Sequence, residues 1–373
     1  MEELGEMAII RRSWKHIVPG IAVCLVLFGG LETFRAAVPK SQNDGQSSAR
    51  QNTCTNVLSS NALSSEVLRV PGGSIDISFA PGPLDLPKTS VVAWVKRAAI
   101  AVSTYYGRFP LKHAQVRIVP VEGEDGVFHG RTFGQDGAYT RIPIGEHTTA
   151  RELENDWIMT HEFVHLAFPD MPKQHQWIEE GLATYVEPIA RAQAGQLKPA
   201  NIWRDMMRDM PKGEPQSGDQ GLDNTHTWAR TYWGGAIYCL RADLMIRQLT
   251  NNRKGLQDAL RAIIRAGGNL TREDWSLERA LKIGDRATGT KVLEQLYAEM
   301  KSEPVEINLA YMWEQLGISI HDGKLSFDDQ ANWAKARIAI TQSASSQPET
   351  IASDRLTNNT NPSTQGIAIS PVP

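Results

Sequence analysis

Two histidines spaced four residues apart, His161 and His165, constrain this chain more than any other feature of its sequence. On an α-helix, residues four apart lie one turn above each other, so both imidazoles project from one face and can meet a single metal ion. Glu162 lies beside them, where it can reach a water molecule at the metal but is badly placed to be a ligand. The pattern predicts a helix that carries part of a metal site; the alternative is a charged helix with incidental histidines.

The ends of this helix are also marked in the sequence. Thr149 and Glu152 have the spacing of a capping box, in which side chains and backbone groups satisfy each other at the start of a helix. Pro169 would stop a helix shortly after His165. We therefore expect one helix to run from this cap to the second histidine.

A third ligand is available in residues 177–185, a helix-compatible segment that follows after a short loop. An antiparallel second helix would bring Glu180 back to the two histidines. Neutral imidazoles and one carboxylate suit Zn²⁺, and a catalytic zinc site needs only three protein ligands, which leaves the fourth position open for water. The sequence predicts one Zn²⁺ per chain, held by His161, His165 and Glu180.

Residues 161–165 and 180–183 together resemble the gluzincin zinc metallopeptidases, which include thermolysin-like, aminopeptidase N-like and glycyl aminopeptidase-like families. In those families the second element commonly reads Trp-Leu-x-Glu-Gly-Phe-Ala, and its glutamate before glycine is the third ligand. Glu180 matches that glutamate, and Glu179 matches the variable position before it. The resemblance implies a zinc peptidase in which Glu162 is the general base, accepting a proton from the attacking water and passing it to the leaving amine.

The same resemblance implies roles for two further residues. Residues 231–236 are similar to the Tyr-x-Lys-Gly segment of aminopeptidase N-like enzymes, which makes Tyr232 the catalytic donor to the oxyanion, although Gly234 replaces the lysine. The alternative is a packed aromatic at the start of a long helix. Glu187 matches a glutamate that lies behind the ligands and could orient a histidine; its alternative is an ordinary helix carboxylate.

The substrate side departs from the family pattern. Residues 137–144 alternate as an extended strand, and in gluzincins the strand before the metal helix is an edge strand that pairs with the substrate backbone. Gly137, Ala138 and Tyr139 are therefore the candidate substrate-binding residues. Aminopeptidase N-like enzymes carry a Gly-Ala-Met-Glu-Asn segment there, whose glutamate captures a free amine. This chain has no such glutamate, so aminopeptidase specificity is not inherited.

Three functions are compatible with these residues. The first is an exported zinc-dependent peptidase acting on a peptide or protein substrate. The second is a zinc hydrolase of another amide or ester in the cell envelope, because the same chemistry attacks any activated carbonyl. The third is a catalytically silent peptidase-fold binding protein, which the intact Glu162 disfavours. The net charge of −3 argues against a nucleic-acid partner, and the sequence leaves the oligomeric state open.

The N-terminus predicts export. Arg11, Arg12 and Lys15 precede an apolar run at residues 17–31, which is typical of a signal peptide and short for a membrane span. A poor cleavage site leaves an uncleaved membrane anchor as the alternative. We expect a periplasmic or otherwise extracytoplasmic protein. Cys54 and Cys239 would then be either a disulfide pair or, for Cys239, a buried apolar side chain.

Composition divides the chain into four parts: a signal peptide or anchor at 1–38, a flexible linker at 39–65, a peptidase-like domain at 66–340, and a disordered tail at 341–373. Within the domain, strand-like segments come first and helical segments follow. This order predicts an α+β fold with a small N-terminal mixed sheet, a zinc-binding helix pair, and a mostly helical C-terminal half, as in a gluzincin or thermolysin-like catalytic core.

Overall fold

The computed structural model describes residues 65–135 and 137–342. The predicted signal or anchor segment, the linker up to residue 64, the tail from residue 343 and Cys54 all lie outside the described residues. No helix within the described ranges is long and apolar enough to cross a membrane.

The N-terminal half is built on a five-stranded mixed sheet, counted over the described residues, with the order β1-β2-β3-β5-β4. Parallel pairing joins β2 to β3 and β3 to β5, whereas β1 and β4 pair antiparallel at the two ends. Alternating apolar side chains place one face of the sheet in the core. The strands are Ser65–Val70 (β1), Gly73–Phe79 (β2), His113–Val121 (β3), Arg131–Phe133 (β4) and Tyr139–Gly145 (β5).

The strand that the sequence places at the edge lies inside the sheet. Tyr139 on β5 is opposite Gln115 of β3 on one side and Phe133 of β4 on the other. Among the described strands, the edge next to the metal helix is β4, a three-residue strand too short to show an alternating pattern. The prediction that residues 137–144 form the edge strand is therefore wrong.

Helix α1, Lys88–Tyr106, packs between the sheet and the metal-site helices, which is why nearly every apolar side chain on it is buried. It ends at Gly107, whose φ of 80° is the left-handed conformation that favours glycine at a helix C-terminus. Trp94 on this helix donates from Nε1 to the Asp156 carboxylate at 3.0 Å. That bond fixes the chain just before the metal helix.

The predicted metal helix is two helices, α2 at Ala150–Asn155 and α3 at Ile158–His165. The capping box of Thr149 and Glu152 is present, but it starts only α2. Asp156 is extended, with a ψ of 140°, and its carboxylate accepts from the backbone N–H groups of Ile158 and Met159. The chain is therefore recapped at Asp156, and α3 begins afresh with its own direction.

The C-terminal half is helical, as predicted. Helix α4, Gln176–Gln193, follows the metal helix, and a π-helical turn, Arg230–Gly234, leads into α6, Gly235–Leu249. Three elements were not predicted: α5 at Pro199–Asp209, a hairpin of β6 and β7 at Ile318–His321 and Lys324–Phe327, and α11 at Ala334–Thr341. The remaining helices are Leu256–Arg265 (α7), Leu277–Thr288 (α8), Val292–Met300 (α9) and Leu309–Gln315 (α10).

The α+β prediction is confirmed, since a mixed sheet precedes a helical half. The comparison with a thermolysin-like core stays a prediction. Cys239 is a free cysteine buried in the interior of α6, where it packs as a small apolar side chain.

Candidate metal centre

Helix α3 places His161 and His165 on one face, as their spacing predicts. Their ring centroids are 5.0 Å apart, with the planes at 82°. Trp157 contacts the His161 ring edge to face at 5.3 Å between centroids. The His161 ring therefore packs against Trp157 and His165 rather than extending freely into solvent.

Glu180 reaches back from α4 to both histidines. Its Oε2 lies 3.3 Å from His161 Nε2 and 3.7 Å from His165 Nε2, and all three ligand atoms lie within 4.8 Å of one another. A tetrahedral centre with bonds of about 2.0–2.1 Å separates its ligand atoms by about 3.3 Å. Two imidazole nitrogens and a carboxylate oxygen at these separations fit Zn²⁺ in both chemistry and spacing.

The charges at this centre explain its pKa shifts. Burial lowers the pKa of His165 to about 4, which keeps its imidazole neutral and ready to bind a metal. Burial also acts to lower the pKa of His161, but the hydrogen bond and charge of Glu180 outweigh it and leave that pKa raised. For Glu180, burial acts to raise the pKa, and the neighbouring histidines reverse the effect, so the carboxyl has a lowered pKa.

Glu179 and Glu180 point in different directions, so the structure distinguishes the two adjacent carboxylates. Glu179 Oε1 accepts from the backbone N–H of Met171, at 2.6 Å, in the loop between the two metal-site helices. Burial raises the pKa of Glu179 to about 8. Glu179 therefore fastens the connecting loop, and Glu180 alone of the pair faces the histidines.

Glu162 is buried against the edge strand. The Thr132 hydroxyl on β4 donates to Glu162 Oε2 at 2.6 Å. Gly130, the residue just before this strand, approaches so closely that a Cβ there would lie 2.6 Å from Glu162 Cγ. Burial raises the pKa of Glu162 to about 7, partly opposed by His161 and by the Thr132 hydrogen bond. A carboxyl with a pKa near neutrality beside a metal site is suited to exchanging protons.

Thr132 and Gly130 were missed by the sequence analysis. Strand β4, which carries Thr132 and directly follows Gly130, has three residues and no periodic pattern, and nothing local links it to a helix about thirty positions away. Only the approach of β4 to α3 brings these residues to Glu162.

Tyr232 lies at the same centre, in the π-helical turn before α6. Its ring stacks on His161, with centroids 6.2 Å apart and planes at 13°, and Trp228 stacks on its other face at 5.7 Å. The tyrosine hydroxyl hydrogen-bonds to the Glu180 carboxylate and helps to lower the pKa of that group. A π turn is common where a helix carries a functional side chain, and here it presents Tyr232 to the ligands.

The crossing of α4 and α6 sets the position of Tyr232 relative to Glu180. A Cβ on Gly181 would lie 2.4 Å from Gly235 backbone atoms, and a Cβ on Gly235 would lie 2.2 Å from the Trp177 carbonyl oxygen. The two backbones therefore touch at paired glycines, each next to or near a residue of the centre. This contact brings two segments that are distant in the sequence together in one site.

Glu187 is buried on α4, two turns beyond Glu180, and its Oε1 accepts from Arg191 Nη1 at 2.9 Å. The same guanidinium reaches the Asn155 carbonyl at the end of α2. Burial raises the pKa of Glu187, opposed first by Arg191, while the charge of Glu187 contributes to the raised pKa of His161. Glu187 therefore acts on His161 through charge and is held in place by Arg191.

The three residues predicted to bind substrate lie along the start of β5. Gly137 has a φ of 108° in the turn before the strand, and Ala138 is buried. Tyr139 stacks on Phe133 of β4, with ring centroids 6.2 Å apart. Because β4 covers this part of β5, the open backbone edge of the described sheet belongs to β4 instead.

Comparison with known proteins gives structural neighbours and no sequence relatives. No family model matches the chain, and no curated protein matches it. An aminopeptidase N family protein from Idiomarina loihiensis aligns with a TM-score of 0.49 at 11% identity, over 70% of this chain and 50% of that chain. An M1 zinc metallopeptidase from Deinococcus radiodurans aligns with a TM-score of 0.43 at 15% identity, over 66% of this chain and 53% of that chain.

The chain thus spans about half the length of these neighbours. At TM-scores under 0.5 the likeness carries no argument about the activity of this chain, which has to come from its own side chains.

Proposed function

We propose that the protein is a zinc-dependent peptidase. The observation that carries this proposal is the convergence of His161 Nε2, His165 Nε2 and Glu180 Oε2 within 4.8 Å, with the buried Glu162 carboxyl next to them. Three metal-binding atoms that leave a fourth direction open form a catalytic rather than a structural arrangement. A base beside such a site has no use in a protein that only binds zinc.

The metal would activate the scissile carbonyl and the attacking water. Bound Zn²⁺ would polarise the scissile carbonyl and make a water molecule acidic enough to react near neutral pH. His161, His165 and Glu180 would hold it, one ion per chain.

Side chains of the protein transfer the proton and stabilise the negative charge that develops on the substrate. Glu162 takes a proton from the attacking water and delivers it to the leaving amine, which requires a pKa near the working pH. Tyr232, whose hydroxyl lies at the Glu180 carboxylate, donates a hydrogen bond to the oxyanion that forms from the carbonyl oxygen. Trp157 packs against the His161 ring, and the charge of Glu187 contributes to the raised pKa of His161.

The substrate backbone would pair with β4. Thr132 on this strand and Gly130 just before it face Glu162, so a peptide added along the open edge of β4 would pass beside the general base. This assignment replaces the expected pairing along residues 137–139. We further propose that the peptide substrate is met outside the cytoplasm, because of the N-terminal sequence pattern.

The test is zinc content per chain by elemental analysis, combined with digestion of a defined peptide library. We expect about one equivalent of zinc in the wild type, loss of zinc in Glu180→Gln, and retention in the matched control Glu179→Gln one position away. Glu162→Gln should keep zinc and lose cleavage by roughly 10³-fold. Full hydrolysis by Glu162→Gln, or zinc occupancy with no cleavage of any peptide, would contradict the peptidase assignment, the latter favouring another amide or ester.

A further inference from the structure

We infer that Thr132 is a positioning residue for the general base: its hydroxyl holds Glu162 Oε2 so that the other carboxylate oxygen faces the reacting water. The inference rests on the proposed function and deepens it. It is based on the 2.6 Å hydrogen bond from Thr132 Oγ1 to Glu162 Oε2, which connects the edge strand to helix α3.

Strand pairing brings a second hydroxyl to the same point. Thr132 on β4 is directly opposite Thr140 on β5, and their Oγ1 atoms are 3.1 Å apart. Thr140 is buried, with 1% of its surface exposed, so its hydroxyl has to find a partner within the protein. The β4–β5 register thus stacks two hydroxyls beneath Glu162.

The number of available protons determines which hydroxyl donates to which acceptor. Thr132 has a single hydroxyl proton and three acceptors within reach: Glu162 Oε2 at 2.6 Å, Thr140 Oγ1 at 3.1 Å and the Glu162 carbonyl at 3.3 Å. The shorter bond to the carboxylate takes the proton, because hydrogen bonds to charged acceptors are shorter and stronger. Thr140 must then donate to Thr132 Oγ1, which makes Thr132 a better donor to Glu162.

The stem of Glu162 is held by the residue that directly precedes β4. The Gly130 backbone packs against Cγ of Glu162 and leaves no room for a Cβ. Packing at Cγ restricts where the carboxylate can go, but rotation about its last bond remains free. The Thr132 hydroxyl supplies the contact that fixes this rotation. A base needs such orientation because proton transfer depends steeply on the distance to its target.

The experiment compares Thr132→Val, which keeps the side-chain shape and removes the hydroxyl, with Thr132→Ser, which keeps the hydroxyl. Zinc-loaded full-length proteins are assayed for kcat and KM on a peptide that the wild type cleaves, and for zinc content and thermal melting. We expect Thr132→Val to lower kcat by about tenfold at unchanged KM and zinc content, and Thr132→Ser to stay within about twofold of the wild type. Thr104→Val, which alters an exposed hydroxyl on α1, is the matched control with unchanged activity.

Crystal structures of the zinc-loaded wild type and Thr132→Val decide the inference independently of turnover. The carboxylate of Glu162 should keep one orientation in the wild type and lose it in the variant. An unchanged carboxylate, an unchanged kcat, or a Thr132→Ser protein as slow as Thr132→Val would overturn the inference. A wild type that binds zinc but cleaves no peptide would instead contradict the proposed function, and the two structures would still show whether Thr132 positions Glu162.

Discussion

Two carboxylates near the N-terminal part of α4 have different surroundings: Asp223, in a turn that contacts the start of the helix, is contacted mainly by hydrogen-bond donors, whereas Glu180, on the helix itself, lies beside two histidines. Four side chains converge on Asp223, the longest of these contacts being 3.4 Å and the shortest 2.7 Å. They are Trp177 Nε1, His175 Nδ1, Tyr297 Oη and Gln174 Nε2. The Asp223 carboxylate is therefore satisfied by the protein itself.

Whereas Asp223 is contacted by one imidazole, Glu180 is contacted by two. One imidazole nitrogen lies 3.3 Å from its Oε2 and another 3.7 Å, and both histidines offer lone pairs to the same point when neutral. Such a group of acceptors is stable only with a proton or a metal cation at its centre. The comparison teaches that the number of buried charges does not distinguish a structural cluster from a candidate metal site; the kinds of groups around each carboxylate do.

The largest expected effect is on the free energy of unfolding, which should depend more on Asp223 than on Glu180. Asp223→Ala should lower the free energy of unfolding by about 4 kcal/mol, because it leaves several buried donors without an acceptor. It should leave zinc stoichiometry unchanged. Urea denaturation of the metal-free protein, with zinc analysis of the loaded protein, measures both quantities.

Glu180→Ala is the counterpart: it should lose zinc completely, while its metal-free form should lose less free energy of unfolding than Asp223→Ala, because fewer side chains lose an acceptor. The comparison would be broken if Asp223→Ala released zinc, or if Glu180→Ala unfolded the metal-free chain as readily as Asp223→Ala.

Zinc itself should stabilise the wild type. At a free concentration a thousand times the Kd, binding to the folded state alone adds about 4 kcal/mol to the free energy of unfolding. Thermal melting with zinc or with a chelator measures the shift. Asp223→Ala should show the same increment from a lower starting point, whereas an increment in Glu180→Ala would show that zinc binds elsewhere.

Tyr232→Phe tests whether the tyrosine hydroxyl serves the reaction or only packing. Loss of an oxyanion donor should lower kcat by about 100-fold, equivalent to about 2.7 kcal/mol of activation free energy. Zinc content should stay near one equivalent, since the stacked ring on His161 is retained. Steady-state kinetics provide the measurement, with Tyr311→Phe, an exposed tyrosine on α10, as the control. Wild-type turnover in Tyr232→Phe would show that Tyr232 serves only in packing.

The last effect concerns pH. Burial raises the pKa of Glu162 to about 7 from its usual value near 4.5, so the folded metal-free protein holds this proton more tightly than the unfolded chain. Wild-type stability is then lost as pH rises through that window, and the Glu162→Gln variant suffers no such loss because its amide does not titrate. Metal-free Glu162→Gln should gain about 3 kcal/mol over the wild type between pH 4.5 and pH 8.

Urea denaturation of both chelator-treated proteins at the two pH values gives this difference. The other buried carboxyls, such as Asp156 and Glu179, cancel because both proteins contain them. A difference that does not change with pH would show that the Glu162 carboxyl is not shifted by burial.

Much of the local structure could be predicted from sequence. The spacing of His161 and His165 required only that a helix form there, and the capping box at Thr149 was correctly recognised. The expectation of one continuous helix was wrong because Asp156 competes for the backbone, accepting from two N–H groups and starting a second helix. Helix α5 carried a usable signal that was overlooked, a proline in its first turn followed by apolar residues at helical spacing.

The placement of the strands could not be predicted in the same way. Residues 137–144 alternate as a strand should, but alternation says which face is buried and not which neighbours pair. Strand β4 is too short to show any period, yet it takes the sheet edge and contacts Glu162. Its position depends on antiparallel pairing with β5, a contact that only the folded sheet defines.

The sequence by itself determined the groups available for metal binding and their order within a helix, because the geometry of one helical turn is set by local backbone bonds. Tertiary structure decided the rest: that Glu180 and not Glu179 faces the histidines, that Tyr232 reaches the same centre, and that Thr132 holds Glu162. These choices depend on helices meeting at Gly181 and Gly235 and on a strand meeting α3. Contacts between distant segments are set by how the whole core packs, and no local pattern contains that information.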